Sequence, residues 1–348
     1  MRPPKRANPC TAGYRPSAMA PGTAPRAPRP SRHVALVGTT AVGKSALALA
    51  VARRAPDIEI VSVDSMQVYR GMDIGTAKPT AAERAEVPHH LIDIADPWDD
   101  FTVAWFAREA RAAIAAVEAR GHRALLVGGT GLYLRSVVDE LDVPGRYPEA
   151  RAPLDEEPDT TALHRRLTAL DPVAAGRMEP TNRRRVVRAL EVTLGSGRPF
   201  SSFGPGLDVY PPSRFHLVGV ALPHEVVAAR IEARYHRQMA DGFLDETRRL
   251  LADERGLSRT ARQALGYREL IGHLEGETTL DEGLELAIRR TRRFARRQRS
   301  WFRRDPRIRW LEAADDPGSL LPSLLAEMAA ADEGKRVPDL DGGRADCR

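Results

Sequence analysis

The sequence predicts an α/β fold, a P-loop NTPase-like parallel sheet with helices on both faces and a mostly helical insertion domain. Three observations carry this expectation. Short apolar stretches alternate with amphipathic helical ones, the pattern of strands covered on both faces by crossover helices. The first apolar stretch runs directly into G-x-x-x-x-G-K-S, from Gly38 to Ser45, and then into a helix. A long stretch between the third and fourth strands has Pro, Arg and helical signals but no strong strand.

Taken in order, "HVALVG" (33–38) is the first buried strand. The helix after the loop has Ala46, Leu47, Leu49, Ala50 and Val51 as its expected apolar face. "IEIVSVD" (58–64) is β-branched and alternating, a second strand ending on Asp64. Residues 102–120 read as an amphipathic helix, with Thr102 as cap and Gly121 as stop. "RALLVGGTG" (123–131) is a third strand breaking into glycines before an apolar helix start. Residues 139–205 form the helical insertion, with "TALHRRLTALDPVAAGRM" and "NRRRVVRALEVTL" as its clearest helices. "FHLVGVAL" (215–222) is the fourth strand, followed by helices over about 223–239, 241–254 and 281–304, a short strand "RIRWLEA" and a last helix near 317–331.

Composition bounds the function. With 348 residues, 42% hydrophobic and 29% charged, the chain has the make-up of an ordinary globular protein. No apolar run is long enough to span a membrane. Two cysteines, Cys10 and Cys347, offer neither a zinc site nor a disulfide framework and fit a reducing compartment. The net charge of +6 misleads. Residues 1–32 hold seven Lys/Arg, eight prolines and no acid, and read as a disordered tail; the remainder has 46 basic against 47 acidic residues. Residues 331–348 read as a frayed acidic tail. Local clustering, not total charge, must therefore identify partners.

The loop Gly38, Thr39, Thr40, Ala41, Val42, Gly43, Lys44, Ser45 can aim consecutive backbone N–H groups at a phosphate. The helix N-terminus adds positive charge, Lys44 a point charge and Ser45 a hydroxyl for Mg²⁺. Whose phosphate it is, that of ATP or of another donor, the loop leaves open. Asp64 ends its strand on the same sheet edge, as a metal ligand or a general base. Gly128-Gly129-Thr130 falls there too, and the neutral Thr130 hydroxyl suits a base or sugar better than a phosphate. Arg230 and Arg234 stand one turn apart on a helix, where arginine is usually a surface residue, and one or both could reach the phosphate site from above. "RRTRRFARRQRSWFRR" (289–304) holds nine arginines, no acid and interleaved Phe294, Trp301 and Phe302, so like charges should repel unless a polyanion covers them. Arg183, Arg184, Arg185 and Arg188 form a second basic cluster. Asp73 and Lys78 are weaker candidates and read as loop-structuring or surface residues.

"GTTAVGKS", "VSVDSMQVYRGMDIGTAKPT", "PHHLIDIADP", "LLVGGTGLY", "RRVVRALEV" and "QALGYREL" stand in this order over residues 33–312. In that order they resemble the tRNA dimethylallyltransferase (tRNA isopentenyltransferase) family, and "DSMQVYRGMDIGTAKP" is specific to it among P-loop proteins. The resemblance implies transfer of a dimethylallyl group from dimethylallyl diphosphate to the exocyclic amine of the adenosine 3′ to the anticodon, in tRNAs reading codons that begin with U. It implies that the loop holds diphosphate with Mg²⁺, that Asp64 takes the proton, and that Lys44 and Arg234 meet the leaving diphosphate. Thr40 matches the family's loop threonine. Asp64, Ser65, Met66, Gln67, Thr130 and Gln263, Ala264, Leu265, Gly266, Tyr267, Arg268 would line the path of the flipped base. Arg151 and the segment Arg184, Arg185, Val186, Val187, Arg188 would grip the anticodon stem-loop. The catalytic core would comprise residues 33–138 and 206–330, in a cytoplasmic monomer. Thr39 stands where the family usually has Pro, and two cysteines exclude the zinc finger of eukaryotic relatives, which points to the bacterial branch. A P-loop small-molecule kinase and a prenyltransferase of free AMP or ATP are the alternatives; neither needs both basic clusters.

Overall fold

The computed structural model describes residues 33–204 and 206–333; both expected tails and both cysteines lie outside them, except that residues 331–333 belong to the last helix. The strands are β1 (His33–Gly38), β2 (Ile58–Val63), β3 (His89–His90), β4 (Arg123–Gly128), β5 (Phe215–Ala221) and β6 (Arg309–Glu312). They form one sheet of order β3-β2-β4-β1-β5-β6, and every pairing is parallel. β1 and β2 are buried along their whole length, as a sheet covered on both faces requires. The helices are α1 (Lys44–Ala52), α2 (Ala81–Glu86), α3 (Val103–Ala119), α4 (Gly131–Val138), α5 (Pro148–Glu156), α6 (Thr160–Leu170), α7 (Pro172–Ala175), α8 (Arg183–Ser196), α9 (His224–Ala240), α10 (Phe243–Leu251), α11 (Arg259–Arg262), α12 (Tyr267–Leu274), α13 (Leu280–Phe302) and α14 (Leu321–Glu333).

The α/β class and its five longer strands follow the sequence pattern. Thr102 caps α3 by accepting from Trp105 N, a bond worth about 1 kcal/mol in comparable helices. Three details differ. The buried face of α1 is Leu47, Ala48, Leu49, Val51 and Ala52, with Ala46 exposed, because sheet and α14 contact adjacent sides of a short helix. β3 has only two residues, too few to show periodicity. Its His90 Nε2 lies 2.7 Å from the buried Glu59, which also accepts from Arg120 and sits 2.8 Å from His122. These partners, Arg120 foremost, hold the Glu59 carboxyl down at about 2. Finally, α12 starts inside "QALGYREL" at Tyr267 and runs to Leu274, where no helix was expected.

Helices α5 to α8 carry a hydrophobic cluster of their own, built on Leu154, Leu163, Leu167, Val186, Val187 and Leu190. Both chain segments joining these helices to the sheet meet at two arginines. Arg135 donates to the carbonyls of Leu207 and Val209 and pairs with Asp139. Arg307 pairs with Asp139 and Asp305 and donates to Pro211 O. Three carbonyls of the returning segment, those of Leu207, Val209 and Pro211, are thereby held, and the Tyr210 ring centre lies 4.5 Å from the Arg135 guanidinium.

The arginine-rich stretch lies on α13, and the expectation of unrelieved repulsion is corrected. Arg289 pairs with Glu285, Arg290 with Glu269, Arg292 with Glu232 and Arg303 with Glu312. The carboxylates come from α9, α12, β6 and α13's own first half, which a linear reading of 289–304 does not contain. Phe302 is buried and Trp301 packs against Gly131, so neither is free to stack on a base. Arg293, Arg296, Arg297, Arg299 and Arg304 remain exposed without a carboxylate partner among the described residues.

Candidate active site

Register places three loops at one level. Val37 of β1 and Val63 of β2 both lie beside Gly128 of β4, so Thr39, Asp64 and Gly129 leave the sheet at the same edge. This is where parallel α/β sheets bind ligands.

The loop after β1 is a donor-rich concavity. Ala41 takes φ +62 and Gly43 φ +96, turning successive N–H groups inward. Gly43 must be glycine, since a Cβ there would lie 2.4 Å from Pro317 Cγ. Among the described residues, the N–H groups of Val42 to Ser45 donate to no other residue. The Lys44 ammonium donates to Thr39 O at 2.6 Å. Burial pulls it down to about 8, with Arg234 adding to the depression and Asp64 opposing it. Ser45 is exposed at the first turn of α1.

Two arginines of α9 close this loop from outside the sheet. Arg230 Nε donates to Ala41 O at 2.9 Å, and Arg234 Nη1 donates to Thr40 Oγ1 at 2.8 Å. Arg234 Nε is buried without a hydrogen-bond partner among the described residues, and burial presses the guanidinium below its ordinary value. Thr39 Oγ1 is likewise buried and unpartnered. A buried cation with an unspent donor is costly unless an anion joins it. Lysine, arginine and free amides all ask for the same kind of ligand.

Asp64 sits half-buried just after β2. Its Oδ1 accepts from Met66 N at 2.8 Å and Gln67 N at 3.3 Å, which fixes the carboxylate and leaves Oδ2 without a protein partner among the described residues. Thr130, at the N-terminus of α4, accepts from Ser65 N at 3.3 Å and so ties this turn to β4. The Gln67 amide is committed to Ser62, Thr76 and Ala77, which makes it a brace for the loop. Tyr133 lies close by, its phenol pushed well above its ordinary value chiefly by burial.

The other residues singled out in the sequence fall into two groups. Gln263 and Arg268 are exposed and Leu265 is half-buried, whereas Ala264, Gly266 and Tyr267 are buried. Tyr267 donates to Glu246 at 2.5 Å, and Glu246 also accepts from the backbone of Asp73, Ile74 and Gly75. Lys78 binds Asp73, Asp93 and Tyr69 O, a buried node that shapes the same loop. On α8, Arg184 and Arg185 are exposed with no ion pair among the described residues, while Val186 and Val187 point into the helical cluster and offer no side chain to a ligand. Arg188 and Arg151 both pair with the buried Glu191, and Arg151 also with Asp155. Arg183 donates to Leu154 O and Asp155 O. Residues 184–188 and the sheet-edge site therefore lie on separate structural units of the chain.

Sequence reasoning missed Gln298 and Glu246. Gln298 accepts from Thr40 N and donates to Gly129 O, both at 2.8 Å. Nothing local signals either residue, because their partners lie far away in sequence.

Two family models match the chain, "IPP transferase" over residues 67–305 and "Isopentenyl transferase" over 32–93. A tRNA dimethylallyltransferase of Kineococcus radiotolerans is 48% identical over 86% of this chain and 96% of its own. One of Salinispora arenicola is 50% identical over 86% and 87%. The structure is also similar to the full-length tRNA isopentenylpyrophosphate transferase of Bacillus halodurans, with a TM-score of 0.63 and 36% identity over 86% of this chain and 98% of the other. A eukaryotic dimethylallyltransferase acting on tRNA shares the fold at a TM-score of 0.74 and 24% identity, over 90% and 83%.

Proposed function

We propose that this chain, which belongs to the tRNA dimethylallyltransferase family, draws its prenyl group from dimethylallyl diphosphate held in the loop 38–45 and delivers it to adenosine N6 in an anticodon stem-loop. The chain is a transferase that prenylates tRNA. The observation that carries the donor assignment is the convergence of unspent donors on one concavity: the N–H groups of Val42 to Ser45, the Lys44 ammonium and the buried Arg234 Nε.

The N6 lone pair attacks C1 of the allylic group, the C1–O bond breaks, and its electron pair leaves with diphosphate. The amine is a weak nucleophile because its lone pair is delocalised into the ring, so its proton must go to a base as the C–N bond forms. Asp64 Oδ2 is the available acceptor, its partner oxygen being held by Met66 N and Gln67 N. Lys44, Arg234 and the loop amides meet the charge growing on diphosphate. A divalent cation fits this site only in part. Ser45 offers one hydroxyl, and no cluster of three or more His, Cys, Asp or Glu able to hold a metal occurs among the described residues. Ser45 would be the residue that helps hold Mg²⁺, which when bound would offset leaving-group charge.

The acceptor side is an RNA surface. Arg184 and Arg185 on α8, and the unpaired arginines of α13, would meet phosphates of a stem-loop, recognising mainly shape. The helical unit 139–205 would thus grip RNA while residues 33–138 and 206–330 perform transfer. The large exposed apolar side chains among the described residues are few, Leu132, Leu170, Val173, Leu194 and Val209, and we take the enzyme to act as a monomer. No helix among the described residues is long and apolar enough to cross a membrane, and we place the enzyme with its tRNA in the cytoplasm.

Labelled dimethylallyl diphosphate with Mg²⁺, no ATP, and either an anticodon stem-loop or AMP tests this reading. Label on the RNA is expected; label on AMP alone, or an absolute need for ATP, overturns it. Arg184→Ala with Arg185→Ala should weaken stem-loop binding and lower the slope of log affinity against log salt by roughly one for each phosphate no longer neutralised. An unchanged slope would remove α8 from the RNA interface.

A further inference from the structure

The site is assembled from three segments that leave the sheet separately, and one side chain joins two of them. Gln298, on α13, is 7% exposed. Its Oε1 accepts from Thr40 N and its Nε2 donates to Gly129 O, so both ends of the amide are spent inside the protein. Gly129 permits the approach, since a Cβ there would lie 2.4 Å from Nε2. Thr40 also receives Arg234, and Thr130, next to Gly129, receives Ser65 N beside Asp64. A continuous series of hydrogen bonds therefore runs from Arg234 through Thr40, Gln298 and the Gly129–Thr130 edge to the Asp64 turn.

We propose that Gln298 is a positioning residue for prenyl transfer, setting the separation between the loop that holds the donor diphosphate and the β4 edge that meets the acceptor base. This rests on the donor lying in the loop 38–45. The residue type follows from the geometry. One neutral side chain must accept from an amide and donate to a carbonyl at opposite ends, which a primary amide does. Glutamate would set a carboxylate against the Gly129 carbonyl, methionine would fill the space with neither bond, and asparagine is one methylene short. The Thr40 N–H spent on Gln298 lies upstream of the N–H groups left for phosphate, so Gln298 fixes the start of the loop without occupying its mouth. Transfer needs C1 and N6 at near-attack distance, where a displacement of about 1 Å costs on the order of 100-fold in rate.

The test uses the full chain with Gln298→Met and Gln298→Glu. Donor affinity is measured with dimethylallyl diphosphate and Mg²⁺ without RNA, RNA affinity with an anticodon stem-loop without donor, and transfer as a single-turnover rate with both saturating. Gln298→Met should lower the rate on the order of 100-fold while both affinities stay within about 3-fold. Gln298→Glu should show a deficit relative to the parent chain at the same pH that shrinks as pH falls, since a protonated carboxyl regains a donor and an acceptor. That recovery, which packing alone would not produce, decides the case if Gln298→Met fails to fold. An unchanged rate in Gln298→Met, a fall matched by weakened donor or RNA affinity, or a Gln298→Glu deficit independent of pH overturns the proposal. Lys44→Met is the separate control: if it binds donor as the parent does, the placement of the donor fails and not the role of Gln298.

Discussion

Asp64→Asn is expected to lower the single-turnover rate of prenyl transfer by about 10²- to 10⁴-fold, the usual contribution of a positioned general base, while diphosphate affinity is kept or improved. Asparagine is the informative replacement. Its amide oxygen can still accept from Met66 N and Gln67 N, so the turn after β2 keeps its shape, while the group facing the acceptor loses its basicity. The same change removes a negative charge that acts on both Lys44 and Arg234. At a pH well below 8, where Lys44 keeps its proton, their attraction for diphosphate should therefore not fall. The measurement is a pair of experiments on one variant, donor titration without RNA and transfer with RNA saturating. Joint loss of diphosphate binding and transfer would make Asp64 a metal ligand or a scaffold residue, and the base would have to be sought elsewhere.

What could be read from the sequence is what a short contiguous stretch encodes. β1, the loop 38–45 and the start of α1 are consecutive, and the backbone geometry of that unit follows from Gly43, Lys44 and Ser45 being where they are. Asp64 and Thr130 were legible because a parallel sheet puts strand ends at one level, which the register of β1, β2 and β4 bears out. The helical character of residues 139–205 came from periodicity, but the separate hydrophobic cluster beneath α8 did not, and that cluster explains why Val186 and Val187 face inward. Charge was the least legible property. Glu269, Glu232 and Glu312 neutralise arginines of α13 from outside the stretch that looked unpaired. Gln298 and Glu246 act through partners that only the fold brings near, so neither had a local signature.

Lys44→Met is expected to abolish donor retention yet stabilise the ligand-free chain, two effects of opposite sign with one cause. Burial lowers the Lys44 ammonium from its ordinary 10.5 to about 8. Between those pH values the folded chain binds fewer protons than the unfolded one, so stability rises with pH across this window. Below pH 8 the cost of keeping the ammonium out of water is carried in full. Methionine removes that charge at similar volume, so the thermal midpoint without ligand should rise near neutral pH, and the increment between pH 8 and 10.5 should disappear. Pyrophosphate with Mg²⁺ reverses the comparison. The parent chain should gain stability in proportion to ligand bound, whereas the variant should lose affinity on the order of 100-fold, since removing one member of a buried charge pair costs about 2–5 kcal/mol. Donor affinity of the parent should also weaken as pH rises past 8, where free Lys44 gives up its proton. A variant that is less stable without ligand and still stabilised by pyrophosphate would mean that Lys44 braces Thr39 and that the diphosphate is not held in the loop 38–45.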